Sequence, residues 1–235
     1  MGDMSFEEWQ GYKAMSSGIG NERTNPGELI SPEELRKFSD QAKTRGYRFA
    51  PDVRGISRPT YGGFESYRGD PAELYKIIDE LDASKSLWPD RLKRKSVLLG
   101  YESLGNTDDF ARTAGRTILF NKDVYDDHEL LKRGYLEAVK DGVFVKGTTH
   151  TSVPWHEIGH VIQNTDSRVY KRLKKAIEQR GEIRQIGLQL TSTYGITETR
   201  DIEYPELLSE LLSATRSSDS AIRKSALELV KEVLP

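Results

Sequence analysis

The sequence predicts an α+β fold that is mostly helical and contains a small mixed sheet. Two observations predict it. Apolar residues recur at helical spacing behind clear helix-start signals, and a few short apolar runs of strand length lie between these segments. The 235 residues include 3 Trp, 11 Tyr and 7 Phe, which is enough bulky material for the core of one domain.

Helix-start signals are clearest where a capping side chain precedes proline. Ser31 precedes Pro32, with Glu34 three residues after the serine, and Asp70 precedes Pro71 in the same way. The first of these helices should stop at Gly46. The segments with helical periodicity are 32–45, 71–81, 127–139, 153–164, 168–180, 205–214 and 220–234.

Three short segments read as strands. Residues 97–99 and 117–120 are apolar runs, and residues 142–149 (GVFVKGTT) alternate in polarity. The last segment is either an interior strand or an edge strand that pairs with an extended peptide.

Domain boundaries follow from composition. Residues 16–32 are rich in Gly, Ser, Asn and Pro, which predicts a loop, so we expect residues 1–30 to form a peripheral arm. Residues 31–235 should form one domain with a core over about 63–214. The helix over 220–234 should close that domain by packing four apolar side chains against it: Ile222, Leu227, Val230 and Val233.

Composition excludes several classes of function. The chain has no Cys, which excludes disulfides, cysteine zinc sites, iron–sulfur clusters and a thiol nucleophile. The net charge is −2, from 35 basic and 37 acidic residues, so no overall basic field favours nucleic acid. No apolar run approaches the ~20 residues of a membrane span. MGDMSFEEWQ does not resemble a signal peptide.

The segment His156-Glu157-Ile158-Gly159-His160 is an H-E-x-x-H motif. On a helix its two histidines lie one turn apart on the same face, so both imidazoles can bind one metal ion. Glu157 is then placed beside that ion as a general base for a water molecule. The alternative is a helix with two incidental histidines.

A catalytic zinc site needs a third protein ligand, which here must be a carboxylate or another histidine. We assign Glu206 as that ligand and Glu210, one helical turn later, as an acceptor for a ligand histidine. Glu203 is a rival ligand that precedes the helix. The alternative reading is that Glu206 and Glu210 are two surface residues of an amphipathic helix.

Two further polar residues carry weaker signals. Tyr194 lies in the polar segment TSTYGIT and could donate a hydrogen bond to an oxyanion, although spacing alone favours an ordinary tyrosine. His150 precedes the motif on the third expected strand. It could contact a substrate, but a surface or hydrogen-bonded core histidine is the simpler reading.

Three segments in order resemble one branch of the zinc metallopeptidases. HEIGHVI, TSTYGIT and ELLSELLSA are similar to the gluzincins related to anthrax lethal factor. GGFESYRGD, DDFARTAGRTILFN and GVFVKGTTHTSVPWHEIGHVI resemble the peptidase-like domain of phage minor head (head morphogenesis) proteins, over about 63–214.

This resemblance implies a zincin-like fold and a zinc-dependent endopeptidase. It implies Zn²⁺ held by His156, His160 and Glu206, with Glu157 as general base and Tyr194 assisting the oxyanion. The partner would be a protein or peptide substrate, including phage capsid components. The location would be a bacterial cytoplasm or virion, or outside the cell if a leader was removed. The alternative is a structural or interaction domain of a phage head protein that keeps the fold and metal without catalysis.

Overall fold

The structure is a computed structural model that describes residues 26–50, 61–180 and 204–234, with side chains from residue 206 onward in the last segment. Its helices are α1 (Pro32–Thr44), α2 (Pro71–Ser84), α3 (Asp90–Lys93), α4 (Lys122–Tyr125), α5 (His128–Lys140), α6 (Val153–Thr165), α7 (Arg168–Arg180), α8 (Tyr204–Ala214) and α9 (Ser220–Val233). Its strands are β1 (Arg48–Phe49), β2 (Leu98–Glu102), β3 (Ala111–Ala114) and β4 (Thr117–Asn121).

The predicted caps begin the helices as expected. The Ser31 hydroxyl accepts the Glu34 N–H at 3.1 Å, and Gly46, just past the end of α1, has a φ of 86°. The Asp70 carboxylate accepts the Ala72 N–H at 2.9 Å at the start of α2. Asp127 caps α5 by accepting from the backbone at two positions. Local capping chemistry therefore sets these boundaries.

The four strands form one small mixed sheet in the order β1-β2-β4-β3. β1, β2 and β4 are parallel, and β3 pairs antiparallel with β4 through a short turn at Gly115. The predicted α+β fold, mostly helical with a small mixed sheet, is confirmed.

The strand predicted over 142–149 is wrong. These residues form turns instead, because Gly142 and Gly147 take φ angles of 76° and 78°, which an extended strand does not allow. Val145 is buried, and Phe144 stacks on Tyr135 with ring centroids 4.6 Å apart. The apolar residues of this segment therefore fill the core from a loop.

Helix α6 lies between the sheet and α8 and occupies the centre of the domain. It contacts β3 and β4 on one side, α8 on another, and α2 on a third. Ile158, Val161 and Ile162 are fully buried in these contacts. The apolar side chains of α8 are also buried, namely Leu207, Leu208, Leu211 and Leu212.

The last helix packs as the sequence predicts. α9 contacts both α7 and α8 and buries Val230 and Val233, while Ile222 and Leu227 are half-buried. At the other end of the chain, the Gly27 and Ile30 N–H groups donate to the carbonyls of Asp126 and Tyr67. In the ranges described, no helix combines the length and apolar character needed to cross a bilayer.

Candidate metal centre

Helices α6 and α8 approach closely because a glycine lies at their contact. A Cβ built on Gly159 would lie 2.5 Å from the Ser209 Cα and 2.9 Å from its backbone nitrogen. Any larger residue would therefore push the helices apart. This approach brings the histidines of α6 within reach of the glutamates of α8.

A polar contact beside the motif strengthens the same junction. The Trp155 indole N–H donates to one Glu80 carboxylate oxygen at 2.7 Å, and Arg216 donates to the other at 2.9 Å. The Arg216 guanidinium also lies over the Trp155 ring, 5.2 Å from its centroid. Helices α2 and α6 and the turn that follows α8 are thereby linked.

Three potential ligand atoms converge at this junction. His156 Nε2 and His160 Nε2 are 3.2 Å apart, and Glu206 Oε2 lies 3.5 Å from each of them. A tetrahedral metal with bonds of about 2.1 Å separates its ligand atoms by about 3.4 Å. The spacing of the three atoms therefore fits a tetrahedral cation with three protein ligands.

The electrostatic environment of the three ligands also favours a cation. Burial alone would raise the pKa of Glu206, but hydrogen bonds and charge from His156 and His160 hold that pKa well below its ordinary value. Burial alone would lower the pKa of His156, but the Glu206, Glu210 and Glu157 carboxylates raise it well above its ordinary value. These carboxylates create a negative potential at the imidazoles.

Glu210 supplies an independent observation. Its side chain is 1% exposed, and its Oε1 faces the buried Nδ1 of His156 at 3.1 Å. Neither atom makes a hydrogen bond of good geometry among the described residues, so they face each other as a close but unbonded pair. A buried carboxylate is costly unless positive charge compensates it. A metal on Nε2 would leave the proton on Nδ1, facing Glu210, and would supply that charge.

Glu157 lies beside the three ligands but points its carboxylate toward the sheet. The side chain is buried, and the Thr113 hydroxyl donates to its Oε2 at 2.6 Å. The same hydroxyl is 3.3 Å from the Glu157 carbonyl oxygen. Thr113 belongs to the outer strand β3, so the sheet edge contacts the proposed base directly.

A cleft of about 410 Å³ opens on this group. His156, Glu157, His160 and Glu206 line it together with Ala111, Arg112 and Thr113 of β3. Its remaining lining combines apolar side chains, two acidic ones and one amide, from Phe110, Phe144, Val153, Asp108, Asp109 and Asn164. The cleft is therefore large enough to admit an extended chain beside the metal ligands.

A second group of potential ligands lies near the start of α6, where Glu73 and Pro154 line one small pocket. Asp70, Glu73 and His128 place ligand atoms within 4.8 Å of one another. Here the buried Glu73 carboxylate already faces cationic or donor groups: Lys76 at 2.8 Å, His150 at 2.9 Å and His128 at 3.3 Å. These contacts satisfy the carboxylate, so we interpret this group as a structural ionic cluster.

The structure brings together His156, Glu157, His160, Glu206 and Glu210. His150 lies in a single helical turn before α6 and is hydrogen-bonded to Glu73. This is the hydrogen-bonded core histidine that is the simpler interpretation of the sequence. Tyr194 and Glu203 lie outside the described residues.

Sequence reasoning missed Thr113 and the rest of the edge strand. A readable signal existed, because ARTA and TILF flank the pair Gly115-Arg116, which is a typical hairpin turn. The short polar strand was overlooked because its side chains alternate without bulky apolar residues.

Comparisons with known proteins do not assign the chain to a family. A scan against protein-family models, a search of curated proteins and a search of solved structures each find no match. Function must therefore be argued from the site itself.

Proposed function

We propose that this protein is a zinc-dependent endopeptidase of zincin type. The observation that supports this most is the joint placement of three ligand atoms at tetrahedral spacing and a glutamate base on one cleft. A purely structural zinc site is closed by four protein ligands, whereas the three here leave one position open. A glutamate beside the three candidate ligands is suited to accept a proton from a water molecule that reacts there.

Each residue has a distinct role in this proposal. His156, His160 and Glu206 hold the zinc, which when bound acts as a Lewis acid and makes a water molecule easier to deprotonate. Glu157 accepts the proton of the attacking water and returns it to the leaving amine. Glu210 orients His156. From the family resemblance, we propose that Tyr194 donates to the developing oxyanion.

The proposed substrate is an extended segment of a protein. β3 pairs with β4 on one side and borders the cleft on the other, so a peptide can add to its outer edge through backbone hydrogen bonds. Phage capsid components are candidate substrates, on the basis of the resemblance to minor head proteins.

The first experiment measures metal content. Protein purified without chelator and then given zinc should hold one equivalent, because sites of this type bind zinc tightly. The Glu206→Gln variant should lose most of it. Less than about a tenth of an equivalent in the wild-type protein would count heavily against the metal centre.

The second experiment separates catalysis from metal binding. Glu157→Gln should keep one equivalent of zinc and lose nearly all cleavage of unfolded β-casein, because the amide cannot accept the proton. Glu137→Gln, an exposed substitution on α5, is the matched control and should behave like wild type. Equal cleavage by Glu157→Gln would refute the mechanism. Tyr194→Phe should lower kcat by roughly 10²-fold, the loss expected for one oxyanion donor.

A structural role is the second candidate, and one observation favours it. The ligands lie on two different helices that touch at Gly159, so a metal would cross-link α6 and α8. A large rise in the melting temperature with zinc, without cleavage of any member of a peptide library, would support this role over catalysis.

A further inference from the structure

The proposed base depends on a residue of the substrate-facing strand. β3 is the outer strand of the sheet, and Thr113 pairs with Ile118 of β4. Side chains of directly paired residues point to the same face of a sheet. Ile118 is fully buried, and β3 and β4 both contact α6. The Thr113 side chain thus projects toward the motif helix, at the border of the cleft.

The contact that Thr113 makes there has a defined direction. An ionised carboxylate only accepts hydrogen bonds, so the hydroxyl 2.6 Å from Glu157 Oε2 must be the donor. This bond restrains rotation of the carboxylate about its last torsion and leaves Oε1 available to accept a proton from a water molecule in the cleft.

We propose that Thr113 is a positioning residue that holds the Glu157 carboxylate in the orientation required for proton transfer. This inference rests on the proposed endopeptidase function and adds to it. If a peptide pairs with β3, this strand aligns the substrate and also orients the Glu157 carboxylate, so one element fixes the positions of both. Proton transfer demands heavy-atom distances of about 2.6–3.2 Å, so loss of this restraint should slow the reaction.

The test compares Thr113→Val with Thr113→Ser. Valine has nearly the same shape without the hydroxyl, and serine keeps the hydroxyl. Kinetics are measured on the member of a quenched-fluorescent octapeptide library that wild type cleaves fastest. Thr113→Val should lower kcat by roughly 10-fold, with KM within about twofold and one equivalent of zinc retained. Thr113→Ser should keep a kcat close to that of wild type, because serine retains the hydroxyl.

A second readout does not depend on activity. In the metal-free protein, Thr113→Val should lower the melting temperature by about 3–6 °C, because a buried carboxylate loses its donor. In a Glu157→Ala background the same substitution should have a much smaller effect, since the carboxylate is gone and only the longer 3.3 Å contact to the carbonyl oxygen of residue 157 remains. Thr117→Val, on the neighbouring strand, controls for the general effect of this exchange in the sheet.

Three results would overturn the inference. They are a Thr113→Val variant as active as wild type, a Thr113→Ser variant as slow as Thr113→Val, and an equal fall in melting temperature with and without Glu157. If wild type binds zinc but cleaves no peptide, the proposed function fails and this role fails with it. An active wild type with an equally active Thr113→Val variant contradicts the positioning role alone.

Discussion

Glu210 offers the sharpest test of the metal centre because it touches no proposed substrate and no metal. Its carboxylate is 1% exposed and faces His156 Nδ1 at 3.1 Å. The Glu210→Gln substitution preserves shape and an acceptor oxygen but removes the charge. If His156 binds zinc through Nε2, this substitution should weaken zinc binding without removing a ligand.

The size of the effect follows from the type of hydrogen bond. A bond to a charged group contributes about 1.5–3 kcal/mol and a neutral bond about 0.5–1.5 kcal/mol. The difference of about 1–2 kcal/mol corresponds to a roughly 5–30-fold rise in Kd. This agrees with the 10–100-fold losses typical when partners of metal ligands are changed. With free zinc at about 100 times the wild-type Kd, zinc stabilises wild type by about 2.7 kcal/mol. A tenfold weaker variant would gain about half as much.

Competition with a chromophoric chelator of known zinc affinity measures Kd directly, and thermal unfolding at fixed free zinc checks it. Glu206→Gln should show the larger loss expected for a removed ligand, and Glu137→Gln should match wild type. A Glu210→Gln variant with Kd within twofold of wild type, beside a Glu206→Gln variant that loses zinc, would refute the role assigned to Glu210.

Three further outcomes are expected. Gly159→Ala should destabilise the protein by about 1–3 kcal/mol in urea unfolding and weaken zinc binding, because its Cβ would lie 2.5 Å from the Ser209 Cα; full stability would contradict the close helix contact. Zinc affinity should fall as pH drops below the raised pKa of His156, because a proton on the imidazole competes with the metal. Titration calorimetry in buffers of different ionisation enthalpy should detect the proton that is released when zinc binds. Burial would raise the pKa of Glu73, but His150 and Lys76 lower this pKa to about 2. The ionised Glu73 therefore contributes its full stabilisation above about pH 4.5, and this contribution is lost as the pH falls toward 2. Glu73→Gln should flatten this part of the curve of unfolding free energy against pH, and an unchanged curve would argue against the ionic cluster.

Much of the fold could be predicted because its signals are local. Ser31 and Asp70 cap their helices through hydrogen bonds to residues two or three positions away, and such contacts depend on sequence alone. The helical spacing of His156 and His160 likewise follows from helix geometry. The prediction for 142–149 is wrong because alternation in polarity carries no information on the backbone of Gly142 and Gly147, whose positive φ angles break a strand.

The sequence by itself determined the capped helices, the histidine pair on the motif helix and the acidic residues proposed as a third ligand. Tertiary structure decided which of these residues meet. Glu206 reaches His160 from 46 residues away and His156 from 50 because Gly159 lets α8 approach α6, and Thr113 reaches Glu157 because its face of β3 packs against α6. Neither contact has a local signal, since each depends on the packing of elements distant in the chain.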